Sequence, residues 1–190
     1  MALTKNALAS YAIDAKTSLF TVQAFAAGLA SVVAHSPSFA VRDLVGDMQF
    51  VSGSMKDASV HLTINLRSLE ILDEVSRQDR REIERVMFDE VLEVGKYPNA
   101  RYESTGVDTF EVSEGVCRAN LMGDLVLHGV TRGVSLDAQV VVGDDTLRAQ
   151  GSFSLVQPDY GLKIGNVAGG TLKLRDELKC HFFVVANRQN

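Results

Sequence analysis

The sequence predicts a mainly β, antiparallel fold, a sandwich or a barrel. Three observations carry that expectation. Apolar and polar residues alternate with a period of two over long stretches, turn-forming clusters separate those stretches, and only one segment switches to helical spacing. A period of two turns one strand face toward an apolar interior and the other toward water, the habit of antiparallel sheets.

In chain order, strands are expected at 11–15, 18–27, 38–51, 58–67, 100–110, 116–127, 133–142, 146–157 and 171–186, the last split near Asp176. The pattern is clearest in three of them. Val60, Leu62, Ile64 and Leu66 alternate with Ser59, His61, Thr63 and Asn65; Val134, Leu136, Ala138 and Val140 alternate with Ser135, Asp137 and Gln139; Leu147, Ala149, Gly151, Phe153 and Leu155 alternate with Arg148, Gln150, Ser152 and Ser154. Turns are expected at Ser52-Gly53-Ser54, Ser113-Glu114-Gly115, Gly143-Asp144-Asp145 and Val167-Ala168-Gly169-Gly170. From Leu125 to Leu136 one apolar run ends at His128-Gly129, a polar turn is expected over Val130-Thr131-Arg132-Gly133, and a second run begins, which reads as a hairpin. Several runs exceed the usual strand length, which suits the long tilted strands of a barrel.

The helical exception is 76–95. Ser76 with Asp79 three residues on resembles a capping box with Asp in place of Glu. Ile83, Met87, Val91 and Val94 recur at three- and four-residue spacing, and Val86 and Leu92 widen the stripe. Gly95 is placed to end the helix and Pro98 bars its continuation. Arg77, Arg80, Arg81 and Arg85 alternate with Asp79, Glu82 and Glu84, as on a solvated helix face.

A chain of 190 residues suits one domain; residues 1–10 read as an N-terminal extension and 11–187 as the domain. The net charge of −5 and the scattered cations argue against nucleic acid as a partner. Two cysteines, Cys117 and Cys180, are too few for a disulfide scaffold; both are expected as free thiols in strands, or as one bridge if those strands are neighbours. The first ten residues have no apolar core of signal-peptide length. The apolar stretch Thr21–Ala34 carries Gln23, Gly28 and Ser31 and falls short of the roughly 20 residues that span a bilayer. The protein is therefore expected to be soluble and cytoplasmic.

Enzyme chemistry finds little footing. No GxSxG, P-loop or GxGxxG motif occurs, and His35, His61, His128 and His181 are too dispersed for metal-ligand spacing. His61 and His181 sit at alternating strand positions; His35 and His128 sit at turns. What remains is an apolar interior supplied by the helix stripe, the strand faces, Phe20, Phe25, Phe39 and Phe50. Composition alone does not distinguish a filled interior from a hollow one.

Several segments, in order, resemble the YceI family of lipocalin-like proteins: Tyr11-Ala12-Ile13-Asp14 with Ser18-Leu19-Phe20-Thr21-Val22; Leu44-Val45-Gly46-Asp47-Met48-Gln49-Phe50; Ser68 before the helix; Lys96-Tyr97-Pro98 with Arg101-Tyr102-Glu103-Ser104; Gly123 to Thr131 with its His128-Gly129-Val130-Thr131; and Pro158-Asp159-Tyr160-Gly161-Leu162. Two details depart from the family pattern: Asp79-Arg80 has the reverse order of its Arg-Asp, and Gln157-Pro158 replaces its Arg-Ser. The resemblance implies an extended antiparallel eight-stranded β-barrel, lipocalin-like, with the one amphipathic α-helix at its side. It also implies a non-enzymatic function, the binding, storage or transport of a long-chain isoprenoid lipid, a polyprenyl phosphate or an isoprenoid quinone, in an apolar lumen. No cofactor other than that lipid ligand is expected; transient membrane contact and a homodimer are compatible with the role.

On this reading the ligand-binding residues are Phe20, Val22, Phe25, Phe39, Leu62, Ile64, Val86, Met87, Val91, Leu125, Leu127 and Phe153, with His35, Arg80 and His128 as polar groups near a head group. Two alternatives stand beside it. A filled barrel would act in protein–protein contact or stress tolerance and expose an apolar patch. An enzyme on the same barrel would bring His35 or His128 together with a carboxylate in the lumen.

Overall fold

In the computed structural model, eleven strand segments form one sheet that closes on itself. The structure describes residues 8–27, 36–51, 54–113, 115–163 and 173–189. The segments are β1 (Leu8–Ile13), β2 (Leu19–Ala27), β3 (Ser38–Val41), β4 (Leu44–Val51), β5 (Ser54–Asn65), β6 (Leu69–Ile71), β7 (Asn99–Ser113), β8 (Val116–Leu127), β9 (Val130–Val142), β10 (Thr146–Val156) and β11 (Lys173–Gln189). The ring runs β1-β4-β5-β7-β8-β9-β10-β11 and back to β1, an eight-stranded antiparallel barrel sealed by the register Ser10↔Gln189 to Ile13↔Ala186.

The other three segments prolong strands of the ring. β2 follows β1 after a turn in which the Ser18 amide donates to the Asp14 carbonyl at 3.0 Å, and both segments pair with β11. β3 runs into β4 through a break at Arg42-Asp43, where both amides donate to Ser68 Oγ at 3.2 and 2.9 Å. β5 runs into β6 through one 3₁₀ turn, Leu66–Ser68. The strand expected at 38–51 is thus two segments, and Ser68 holds the corner between them.

Three further expectations need correction. The last strand is not split: β11 is continuous, and only its register against β2 shifts between Leu174 and Leu178. The hairpin turn is His128-Gly129 alone, and β9 begins at Val130. A two-residue hairpin of type I′ has positive φ at both central residues, which His128 (φ 52°) and Gly129 (φ 74°) supply, so Val130 to Gly133 stay in the ladder. The first strand spans Leu8–Ile13, where 11–15 was expected. The expected turns at Ser52-Gly53 and Val167 to Gly170 lie outside the described residues.

The helical segment fills the space between β6 and β7. α1 (Arg77–Arg85) starts at Ser76, whose Oγ accepts from the Asp79 amide at 3.1 Å and donates to the Asp79 carboxylate at 2.7 Å. A wider π-type turn, Val86–Val91, follows. Its longer period sets Val86 and Val91, five residues apart, on the same inward side. The segment ends at Glu93, with φ 44°, two residues before the expected stop at Gly95. Arg80 ties α1 to the sheet, donating to the Ile71 carbonyl at 3.0 Å.

A two-chambered lumen as candidate functional site

Inward side chains do not fill the barrel. A lower chamber of about 450 Å³ lies between β2, β3, β6 and the helical segment on one side and Leu125, Leu127, Phe153 and Leu155 on the other. That volume falls within the range of ligand pockets. An upper chamber of about 130 Å³ is lined by Met48, Phe50, Met55, Val107, Ala138 and Val140, among others. Phe20, Ile64, Ala100, Leu125 and Phe153 belong to the walls of both.

The chemistry of the walls is nearly all carbon. Arg101 and Tyr102 are the polar lining residues of the upper chamber, and the Tyr102 hydroxyl donates to the Leu121 carbonyl at 3.2 Å. In the lower chamber, Asp73, Asp79, Glu82 and Gln157 join the apolar lining. Asp79 and Glu82 also face solvent, so the mouth of this chamber opens beside α1, and no Lys, Arg or His of the described residues lines it. Gln157 is buried, its amide nitrogen donating to the Arg175 carbonyl at 3.2 Å.

Eleven of the twelve apolar site residues expected from the sequence line these chambers: Phe20, Val22, Phe39, Leu62, Ile64, Val86, Met87, Val91, Leu125, Leu127 and Phe153. Phe25 does not. On β2 the inward positions are Phe20, Val22 and Ala24, and the period of two turns Phe25 to the other face.

The polar expectations fare differently. His35 lies outside the described residues. Arg80 is not itself a lining residue; its guanidinium donates to the carbonyls of Ile71 and Asp73, two residues that line the lower chamber, at 3.0 and 3.5 Å. His128 sits at the β8–β9 turn, its Nδ1 3.2 Å from the Tyr160 carbonyl and its Nε2 2.7 Å from the Glu93 carboxylate, with the Tyr97 ring 4.4 Å away between centroids. This cluster pins the end of the helical segment to the hairpin. It meets a carboxylate, but outside the lumen, and among the described residues no histidine lines either chamber. Leu155, Cys180 and Ala24 line the lower chamber and were not among the expected residues; Leu155 and Ala24 follow from extending the period of two by one step from Phe153 and Val22.

Cys117 and Cys180 are not bridged. Cys180 faces the lower chamber, and burial pushes its thiol up to about 12. Burial, with Asp124 nearby, also pushes Tyr102 up to about 12. Both groups are neutral in the folded protein and ionise sooner once unfolded. Their stabilising effect is therefore complete below about pH 9 for the thiol and pH 10 for the phenol, and is lost as pH rises toward 12. Thermal unfolding is expected to shift to lower temperature between pH 9 and 12, more gently in Cys180→Ala; an unchanged slope in that variant would show that the thiol does not control the alkaline limit.

No helix among the described residues is long and apolar enough to cross a membrane. Comparison with known proteins agrees with the barrel. BcnA of Burkholderia cenocepacia has the same fold at a TM-score of 0.69 and 16% identity, over 91% of this chain and 98% of that one. A structure described as a polyisoprenoid binding domain from Saccharophagus degradans matches at a TM-score of 0.69 and 15% identity, over 94% and 98%. A UPF0312 protein of Pseudomonas fluorescens is 29% identical over 127 residues, 63% of this chain and 61% of its own length. One of Vibrio parahaemolyticus is 30% identical over 101 residues, 53% and 48%. The chain thus spans about half to three fifths of the length of these relatives. The YceI-like domain model matches residues 11–186, nearly the whole sequence, and the chain belongs to the YceI family.

Proposed function

We propose that this protein binds and carries, without chemical conversion, the isoprenoid tail of a lipid whose head group is uncharged. The observation that carries the reading is the lower chamber, about 450 Å³ of space walled by apolar side chains and open beside α1. A tail transferred there leaves water at roughly 0.8 kcal/mol per buried CH₂, before the costs of ordering it are subtracted. The fold shared with a polyisoprenoid binding domain supports the same reading. The polar lining is sparse, with carboxylates, Gln157 and Cys180 in the lower chamber and Arg101 and Tyr102 in the upper, which supports binding rather than conversion.

The charge of the lining supports one of the two head groups compatible with such a tail. Asp73, Asp79 and Glu82 line the lower chamber; Arg85 pairs with Glu82 at 2.7 Å, while Asp73 and Asp79 have no cation within ion-pair distance among the described residues. A phosphate there would meet like charge, about 1 kcal/mol per pair at 4 Å even in water. A quinone or an alcohol meets no such penalty and offers hydrogen bonds.

The test is organic extraction of the purified protein followed by mass spectrometry, with native mass spectrometry before and after. A stoichiometric isoprenoid quinone or alcohol is the expected result. Recovery of a polyprenyl phosphate would overturn the head-group assignment. An empty protein that also refuses reconstitution with isoprenoid alcohols and quinones would overturn the carrier reading.

A further inference from the structure

The two chambers meet where Phe20 of β2 and Phe153 of β10 approach each other. Their ring centroids lie 6.2 Å apart with the planes inclined by 65°, an edge-to-face pair. The two strands flank β11, where Phe20 pairs with Phe182 and Phe153 with Cys180, so both rings project inward over the same strand. Both belong to the walls of the upper and the lower chamber. The lumen therefore has a waist, and two aromatic rings form part of it.

The sizes on either side of the waist differ. An apolar cavity of about 150 Å³ takes one benzene, which is close in carbon count to one isoprene unit. By that measure the lower chamber, at about 450 Å³, holds about three units and the upper, at about 130 Å³, about one. A longer tail entering at α1 fills the lower chamber and then meets the rings. It must either part them or leave its remaining units in water at the mouth.

We infer that the Phe20–Phe153 pair sets the length of isoprenoid tail this protein selects, holding it to about three units. The inference rests on the carrier reading proposed above and adds to it the residues that choose among tails. The rings act by closing off space: as phenyl groups they offer a head group no polar contact.

The experiment is a series of all-trans isoprenoid alcohols of one to eight units, titrated into delipidated protein and read by native mass spectrometry. In the wild type, Kd is expected to fall by about tenfold or more per unit up to three and then to level off, because further units gain no burial. In Phe153→Ala, where the waist is widened, the plateau is expected to move out by at least one unit. The wild-type series needs no variant, so the inference stays open to refutation if Phe153→Ala does not fold; Phe20→Leu serves as a second, milder widening. Affinity that keeps rising to eight units in the wild type overturns the inference and leaves the carrier reading intact, as does an unmoved plateau in the folded variants. Failure of every alcohol to bind the wild type overturns the carrier reading itself.

Discussion

Leu125→Arg is expected to strip the protein of lipid. Leu125 lies on β8 in the wall shared by both chambers, opposite Tyr102 in the ladder. A guanidinium placed there has apolar side chains for neighbours, and a bound tail would prevent it from keeping water. An unpaired buried charge costs about 3–5 kcal/mol, so the affinity for an apolar tail should fall by roughly two to four orders of magnitude. The empty protein should suffer less, because a hollow lumen lets the long side chain reach water toward the mouth. The measurement is lipid content after purification alongside the unfolding temperature of the delipidated protein. Lipid content equal to the wild type would remove Leu125 from the site. A large loss of stability without lipid would mean that the space around Leu125 is filled.

The largest effect on folding is expected at Gly151. This residue sits mid-strand in β10, between Ala138 of β9 and Phe182 of β11. A Cβ added to it would overlap the Asp137 carbonyl oxygen and stand 2.6 Å from the Phe182 ring. The constraint is one of space: the neighbouring strand's backbone occupies the volume, and a backbone oxygen has no rotamer by which to retreat. Gly151→Val should therefore cost about 3 kcal/mol, at the upper end of overpacking effects. For a chain of this size that lowers Tm by about 6–12 °C. Phe182 also lines the upper chamber, so its displacement should reshape that end of the lumen. Adding Phe182→Leu should recover only part of the loss, because it relieves the ring contact and leaves the carbonyl overlap. A Tm change under about 2 °C in the single variant would show that β10 slides enough to admit a side chain.

Much of the architecture was legible because a barrel writes itself as alternation. Val60 to Leu66 and Leu147 to Leu155 announced their inward faces, and the lining residues Leu62, Ile64 and Phe153 follow from that period alone. The same period, carried two residues past Val22, selects Ala24 rather than Phe25. Side-chain size drew attention to Phe25, whereas geometry favours the small residue. The only local sign of the bend that divides 38–51 is the adjacent polar pair Arg42-Asp43, whose Asp is a poor strand former; what ends the ladder there is Ser68, distant in sequence, taking their amides. His128 could be placed at a turn but not assigned a partner, since Glu93 and Tyr160 reach it only through the fold. The hollow was illegible for a different reason. Empty space is a property of how eight faces converge, and none of those faces carries it alone.

The C-terminal strand has one consequence for how this protein is made. β11 pairs with β10 along its length, with β1 near its end and with β2 nearer its start. Ser10 finds its partner in Gln189, nearly the whole chain away. While the ribosome still holds residues 173–189, the nascent chain can build β4 through β10 as a curled ribbon, but it cannot close. The edges of β1, β2 and β10 stay bare until translation of that stretch is finished, and bare edges invite pairing with other chains. Closure therefore waits until β11 itself has left the exit tunnel, and any interruption within its seventeen residues leaves an open, sticky sheet in place of a barrel.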